Sequence, residues 1–176
     1  MKSAVVYYTQ SGNTEKVART IACAIEAECV APIAETPDLD AYDLVFVGMP
    51  VEQFGAPEVV RQFLAERCAG RRIALFATHA APDDLTQLEP WLVNCRKAAE
   101  GAELVGFFHC QGALAEPVRQ AMLASDTPML QQFAQMAGCA DGQPDEAALA
   151  RAADFARKTV VPVGREPASA PEVALV

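Results

Sequence analysis

Apolar residues along this chain recur with two different periods. Ser3–Tyr8, Cys29–Ile33, Asp43–Met49, Arg72–Thr78 and Glu103–Cys110 are short runs dominated by Val, Ile, Leu, Phe and Ala. Near-continuous runs of this length suit parallel strands covered on both faces. Between the runs the apolar positions change to helical spacing. Val17, Ala18, Ile21, Ala22 and Ile25 predict a helix over Thr14–Glu26. Pro57 opens a second, with Val59, Val60, Phe63 and Leu64 facing inward and Gly70 at its end. Trp91, Leu92, Cys95 and Ala99 predict a third over Asp84–Glu100, closed by Gly101. This alternation implies a parallel sheet with right-handed crossovers, an α/β sandwich of three layers. The loops after strands one, three and four, Thr9–Thr14, Pro50–Ala56 and His79–Asp83, leave from carboxyl ends of strands, where open α/β sheets bind ligands.

After Cys110-Gln111-Gly112 the pattern breaks. Pro117, Pro128, Gly138, Gly142 and Pro144 mark an irregular insertion at about residues 111–145, with short helices expected at Glu116–Ala124 and Met129–Ala137. A last helix is predicted over Asp145–Lys158, with Leu149, Ala152, Ala153, Phe155 and Ala156 on its inner face. Residues 161–176 carry Pro162, Pro167 and Pro171 and read as a flexible tail. The expected organisation is one domain over residues 1–160, followed by that tail.

The 176 residues are enough for a sizeable core. A net charge of -9 argues against nucleic acid or an anionic membrane as partner and would steer a basic protein; it serves solubility equally well. The apolar start is too short for a signal peptide, and no stretch has the length of a membrane span, so a cytoplasmic protein is expected. Cys23, Cys29, Cys68, Cys95, Cys110 and Cys139 form no C-x-x-C pair, and the histidines are only His79 and His109. Reduced, mostly buried cysteines and no zinc or iron–sulfur site are therefore expected.

The candidate chemistry starts at Thr9-Gln10-Ser11-Gly12-Asn13-Thr14, between strand one and helix one. The N–H groups of a first helical turn point out of the helix end and attract an anion. The hydroxyls of Thr9, Ser11 and Thr14 add donors, and Gly12 permits a positive φ or a close ligand. The turn reads as a cradle for a phosphate monoester without a formal positive charge. The plainer alternative is that Ser11, Asn13 or Thr14 only caps the helix. Walker A and dinucleotide fingerprints both fail, because Gly12 stands alone and no lysine occupies the loop.

Val5 to Thr14 resembles the phosphate loop of the flavodoxins. The resemblance implies the flavodoxin-like strand order 2-1-3-4-5 and FMN as cofactor. It implies that Pro50, Val51, Phe54 and Gly55 border the isoalloxazine ring, with Phe54 as the aromatic contact. The Gly55 peptide would turn its carbonyl toward flavin N5. This loop is longer than the flavodoxin pattern and carries Phe where Trp or Tyr is usual. Glu52 is a second candidate for the aromatic position, and Phe54 packed against the helix from Pro57 is the plain alternative. The third loop, Thr78-His79-Ala80-Ala81-Pro82-Asp83, lacks the usual glycine and tyrosine. By resemblance, Thr78, His79 and Ala80 would meet the pyrimidine edge. His79 would stack on the flavin or reach its N1–C2=O edge, raising the potential if protonated; otherwise it is a solvent-facing loop residue.

His109 and Cys110 end strand five on opposite faces, a poor placement for a nucleophile and its base. Phe107 to Gly112, with the helical extension, resembles a bacterial branch of the flavodoxin family. That branch includes flavodoxin-like partners of larger reductases, bilirubin reductase among them. The implied function is FMN-dependent electron transfer to a partner with a basic docking surface. The alternatives are an FMN-dependent reductase of a quinone or tetrapyrrole and an accessory subunit that has lost the flavin.

Overall fold

The computed structural model describes residues 1–161, apart from the side chain of Cys139. The expected tail, but for Val161, lies outside the described residues. The elements alternate as β1 (Ser3–Tyr7), α1 (Asn13–Ile25), β2 (Cys29–Pro32), β3 (Leu44–Pro50), α2 (Glu58–Arg67), β4 (Arg72–His79), α3 (Leu88–Lys97) and β5 (Glu103–Gln111). Then come α4 (Glu116–Leu123), α5 (Pro128–Met136) and α6 (Glu146–Val160). The five strands are parallel in the order β2-β1-β3-β4-β5. Ligand loops therefore gather where the order reverses, between β1 and β3.

Alternation along the central strands sends side chains to two cores. Val6, Val45, Val47, Ile73 and Leu75 pack under α2 and α3, against Val60, Phe63, Leu64 and Cys95. Val5, Leu44, Phe46, Ala74 and Phe76 pack under α1 and α6, against Val17, Ile21, Ala152 and Ala156. Gly48 is required in β3 because a Cβ there would lie 2.1 Å from the Phe76 ring. A bulge at Ile73/Ala74 shifts the β4–β5 register, pairing Ala77 with His109 and His79 with Gln111.

Several expected boundaries move. Val59 is 43 % exposed, so α2 buries only Val60, Phe63 and Leu64. α3 begins at Leu88 rather than Asp84, with Pro90 in its first turn, where no N–H is needed. The insertion forms α4 and α5 close to the expected positions, and α6 is capped by Asp145, whose carboxylate accepts from the Ala148 N–H at 2.8 Å. Among the described cysteines, Cys68, Cys95 and Cys110 are buried thiols, Cys29 is half-buried and Cys23 is exposed. No described helix is long and apolar enough to cross a membrane.

Candidate functional site

The first loop joins β1 to α1 through Gly12, whose φ of 86° only glycine adopts without strain. Gly12 is the N-cap, and no side chain caps the helix, so the hydroxyls are not used as caps. The Gly12 N–H donates to Thr9 Oγ1 at 3.0 Å, and Asn13 Nδ2 donates to Ser11 Oγ at 2.9 Å. Each hydroxyl oxygen accepts, which leaves its own proton to donate outward. The first N–H with a helical acceptor is that of Lys16, on Gly12 O at 3.0 Å. Those of Asn13, Thr14 and Glu15 therefore precede the helical ladder. A Cβ on Gly12 would meet nothing within 4 Å, so the space beside the turn is open. Glu15, the acid of this first turn, is paired with Arg19 at 2.7 Å, whose hydrogen bond holds its carboxyl below the usual range. Gln10 bonds the Tyr8 hydroxyl at 3.1 Å.

Thr14 departs from its expected place. Its side chain is buried, and its hydroxyl meets that of Thr78 in β4 at 2.9 Å. Thr14 thus faces the end of the sheet, and only its N–H joins the outward set. The insertion also reaches this loop: Asn13 Nδ2 donates to Ala113 O at 2.7 Å, and Lys16 Nζ donates to Pro144 O at 2.7 Å.

In the second loop the Val51 N–H donates to Thr78 O at 2.8 Å, tying the end of β3 to β4. Glu52 and Gly55 then exchange two backbone hydrogen bonds of 2.9 Å each. The turn between them has positive φ at Gln53 (46°) and Phe54 (67°), as a primed two-residue turn requires. The unusual backbone thus lies before Gly55, not at it. The Phe54–Gly55 peptide is held at both ends: Phe54 O accepts from Asn94 Nδ2 at 3.0 Å, and the Gly55 N–H donates to Glu52 O. The Gly55 carbonyl, the group expected to turn, is engaged as well: it accepts from the Glu52 N–H at 2.9 Å, and turning it would break that bond. Phe54 is 55 % exposed and its ring lies 5.1 Å from that of Trp91 in α3, so it does not pack on the helix from Pro57. Phe133 of α5 lies 6.4 Å beyond Trp91. Glu52, the other candidate, has its Oε1 buried without a hydrogen-bond partner, and burial pushes its carboxyl pKa up.

The third loop starts later than expected, because β4 runs through His79. Thr78 points to the α1 side and His79 to the other. The His79 side chain is 1 % exposed, with Nδ1 bonded to Ala81 O at 2.8 Å and Nε2 lying 3.0 Å from His109 Nδ1. His79 is therefore neither solvent-facing nor free to stack on a ring, since both nitrogens are engaged inside the protein. Burial lowers the pKa of both histidines and keeps them neutral near pH 7. Ala80 opens the loop, its carbonyl accepting from Gln111 Nε2 at 3.1 Å, while the Gly112 N–H donates to His79 O at 2.8 Å.

Residues 4–157 match the model of the flavodoxin domain. The chain belongs to the flavodoxin family. It is 28% identical over 172 residues to the flavodoxin-like domain-containing protein BilS of Clostridioides difficile, across 92% of this chain and 97% of that one. A flavodoxin from the domain Archaea superposes with a TM-score of 0.54 at 17% identity, over 90% of this chain and 99% of that chain. A putative flavoprotein of Bacteroides uniformis gives 0.52 at 17% identity, over 69% and 97%. These likenesses show the flavodoxin fold. In this flavodoxin, Thr9–Thr14, Pro50–Gly55 and Thr78–Ala80 converge at the strand ends. Trp91, Phe133 and Ala113 join them, though sequence reasoning did not place them at the site. In the sequence Trp91 belongs to the apolar spacing of the third helix, and the spacing of Phe133 and Ala113 carries no sign of their destinations.

Proposed function

We propose that this flavodoxin binds FMN at the three loops and carries electrons between partner proteins in the cytoplasm. The observation that supports this most is the first loop, where the Thr9 and Ser11 hydroxyl oxygens accept within the loop and so keep their protons free to donate, beside an open glycine. An FMN phosphate fits that donor set. Thr9, Gln10, Ser11, Gly12, Asn13 and Thr14 would hold it, Thr14 by its N–H alone. Pro50, Val51, Phe54 and Gly55 would border the ring. Thr78, His79 and Ala80 would serve through their backbone. Bound FMN supplies one- and two-electron chemistry, and the protein's part is to hold it, tune it and expose one edge. The exposed Phe54 gives a partner an apolar contact at that edge, and the net charge of -9 favours a basic partner.

Titration of the flavin-free protein with FMN and with riboflavin tests the binding. Loss of two charge-assisted hydrogen bonds, at about 1.5 kcal/mol each, predicts about hundredfold weaker riboflavin binding. Equal affinities would overturn the phosphate assignment. A second reading, an FMN-dependent reductase of a quinone or tetrapyrrole, draws on the Phe54–Trp91–Phe133 ledge beside the site. Rapid NADH or NADPH oxidation by the FMN-loaded protein alone would favour it over the carrier. A stable complex with a reductase in the absence of FMN would favour an accessory subunit.

A further inference from the structure

The two histidines of the chain lie far apart in sequence and meet through the sheet. Without the bulge at Ile73/Ala74, His109 would pair with Thr78 and face away from His79. The shifted register pairs it with Ala77 instead and brings both rings to the α3 side. Asp83 closes the group from the loop after β4. His79 Nε2 lies 3.0 Å from His109 Nδ1 and 3.5 Å from Asp83 Oδ1, and the three donor atoms all fall within 4.8 Å of one another.

We propose that His79, His109 and Asp83 form a binding site for a divalent metal of the zinc class, with three protein ligands and one open position. Bonds of about 2.0–2.1 Å at tetrahedral angles place neighbouring ligand atoms about 3.3–3.4 Å apart. Two of the three separations, 3.0 and 3.5 Å, bracket that value, and rotation of the exposed Asp83 side chain would bring its oxygen to the third. Nitrogen and carboxylate oxygen donors suit zinc and cobalt(II).

Partners outside the group orient two of its members. The Ala81 carbonyl can only accept, so His79 carries its proton on Nδ1 and turns the Nε2 lone pair into the cluster. Arg151 of α6 holds Asp83 Oδ2 at 3.5 Å, which leaves Oδ1 directed at His79. Without metal, the His109 Nδ1 proton bridges to His79 Nε2. Metal takes the place of that shared proton, and His109 moves it to Nε2, so no proton need leave the protein. Around His109, Asp83 and Glu89 offset Arg96 and Arg151, so the cation meets no net positive surround. The ion would join β4, β5 and the third loop at one point. These three side chains do not depend on FMN in the neighbouring loops.

Calorimetry with zinc and difference absorption with cobalt(II), on the protein as purified, test the site. One ion per chain is expected, with a cobalt band of nitrogen and oxygen ligation that zinc abolishes. Asp83→Asn and His109→Gln should each weaken zinc binding at least tenfold, the lower end of the effect of disturbing even outer groups of a metal site. Zinc should raise the melting temperature of the wild type and not of His109→Gln. Absence of binding, a sulfur-to-cobalt charge-transfer band from Cys23 or Cys29, or unchanged affinity in both variants would overturn the site. If His109→Gln melts early without metal, Asp83→Asn decides alone, because Asp83 is exposed and its removal leaves the core intact.

Discussion

The hydroxyls of Thr14 and Thr78 meet in a buried bond at 2.9 Å, where α1 crosses the end of β4. Thr14→Val would leave the Thr78 hydroxyl buried without a partner and should lower stability by about 1–3 kcal/mol. Adding Thr78→Val should restore most of the loss, because two apolar groups of the same shape need no hydrogen bond. Urea unfolding of the two single variants and the double variant measures this, and strictly additive losses would refute the pairing. Ser11→Ala should behave in the opposite way, leaving stability intact and weakening FMN about tenfold, one charge-assisted bond. Glu52 is a third case. Burial raises its pKa above the value in the unfolded chain. The unfolded state then releases this proton first, so Glu52 costs stability as pH rises from the ordinary glutamate range through the raised value. Glu52→Gln removes the charge while keeping a polar atom at the buried position, so it should be more stable at pH 7 by at most about 1 kcal/mol, the side chain being partly exposed. The gap should close on acidification. A gap that does not change with pH would assign it to packing.

At the scale of elements, the sequence was legible wherever burial on both faces wrote a continuous apolar run. The central strands β1, β3 and β4 follow from such runs, whereas β2 and β5 are only partly buried, and the order 2-1-3-4-5 comes from the resemblance to the flavodoxins. The start of α3 was not legible, because Leu85 and Leu88 continue the apolar spacing while residues 83–87 only turn. The contact of His79 with His109 was hidden for a sharper reason. It depends on one bulge, and a one-residue slip in register exchanges the faces of a strand. A count of two histidines in the sequence carries no sign that they adjoin. Gly112 is another case that only the folded chain explains. A Cβ there would lie 2.9 Å from Asn13 Nδ2 and 3.0 Å from its Cβ. Asn13 has little room to give, since its amide already bonds Ser11 and Ala113. Gly112→Ala should therefore cost about 1–3 kcal/mol by overpacking and weaken FMN through the displaced first loop. Thermal melts and an FMN titration read the two effects, and unchanged FMN affinity would show that the insertion does not support the loop.

For the whole molecule, an excess of negative charge coexists with a site proposed to hold an anionic phosphate. The first loop resolves this locally, with backbone and hydroxyl donors and with Glu15 neutralised by Arg19. The remaining charge acts at longer range. Opposite net charges accelerate encounter, and salt screens that attraction over a Debye length of about 8 Å at physiological ionic strength. If the chain passes electrons to a basic partner, transfer from the reduced FMN-loaded protein to cytochrome c, a basic haem protein, should slow steeply as salt is added. Stopped-flow mixing at increasing ionic strength measures the slope. Phe54→Ala, which removes a 55 % exposed ring without touching a charge, should lower the rate while leaving that slope unchanged. The two outcomes separate long-range steering by net charge from short-range contact at the edge of the site. A rate indifferent to salt would mean that the acidity serves solubility alone.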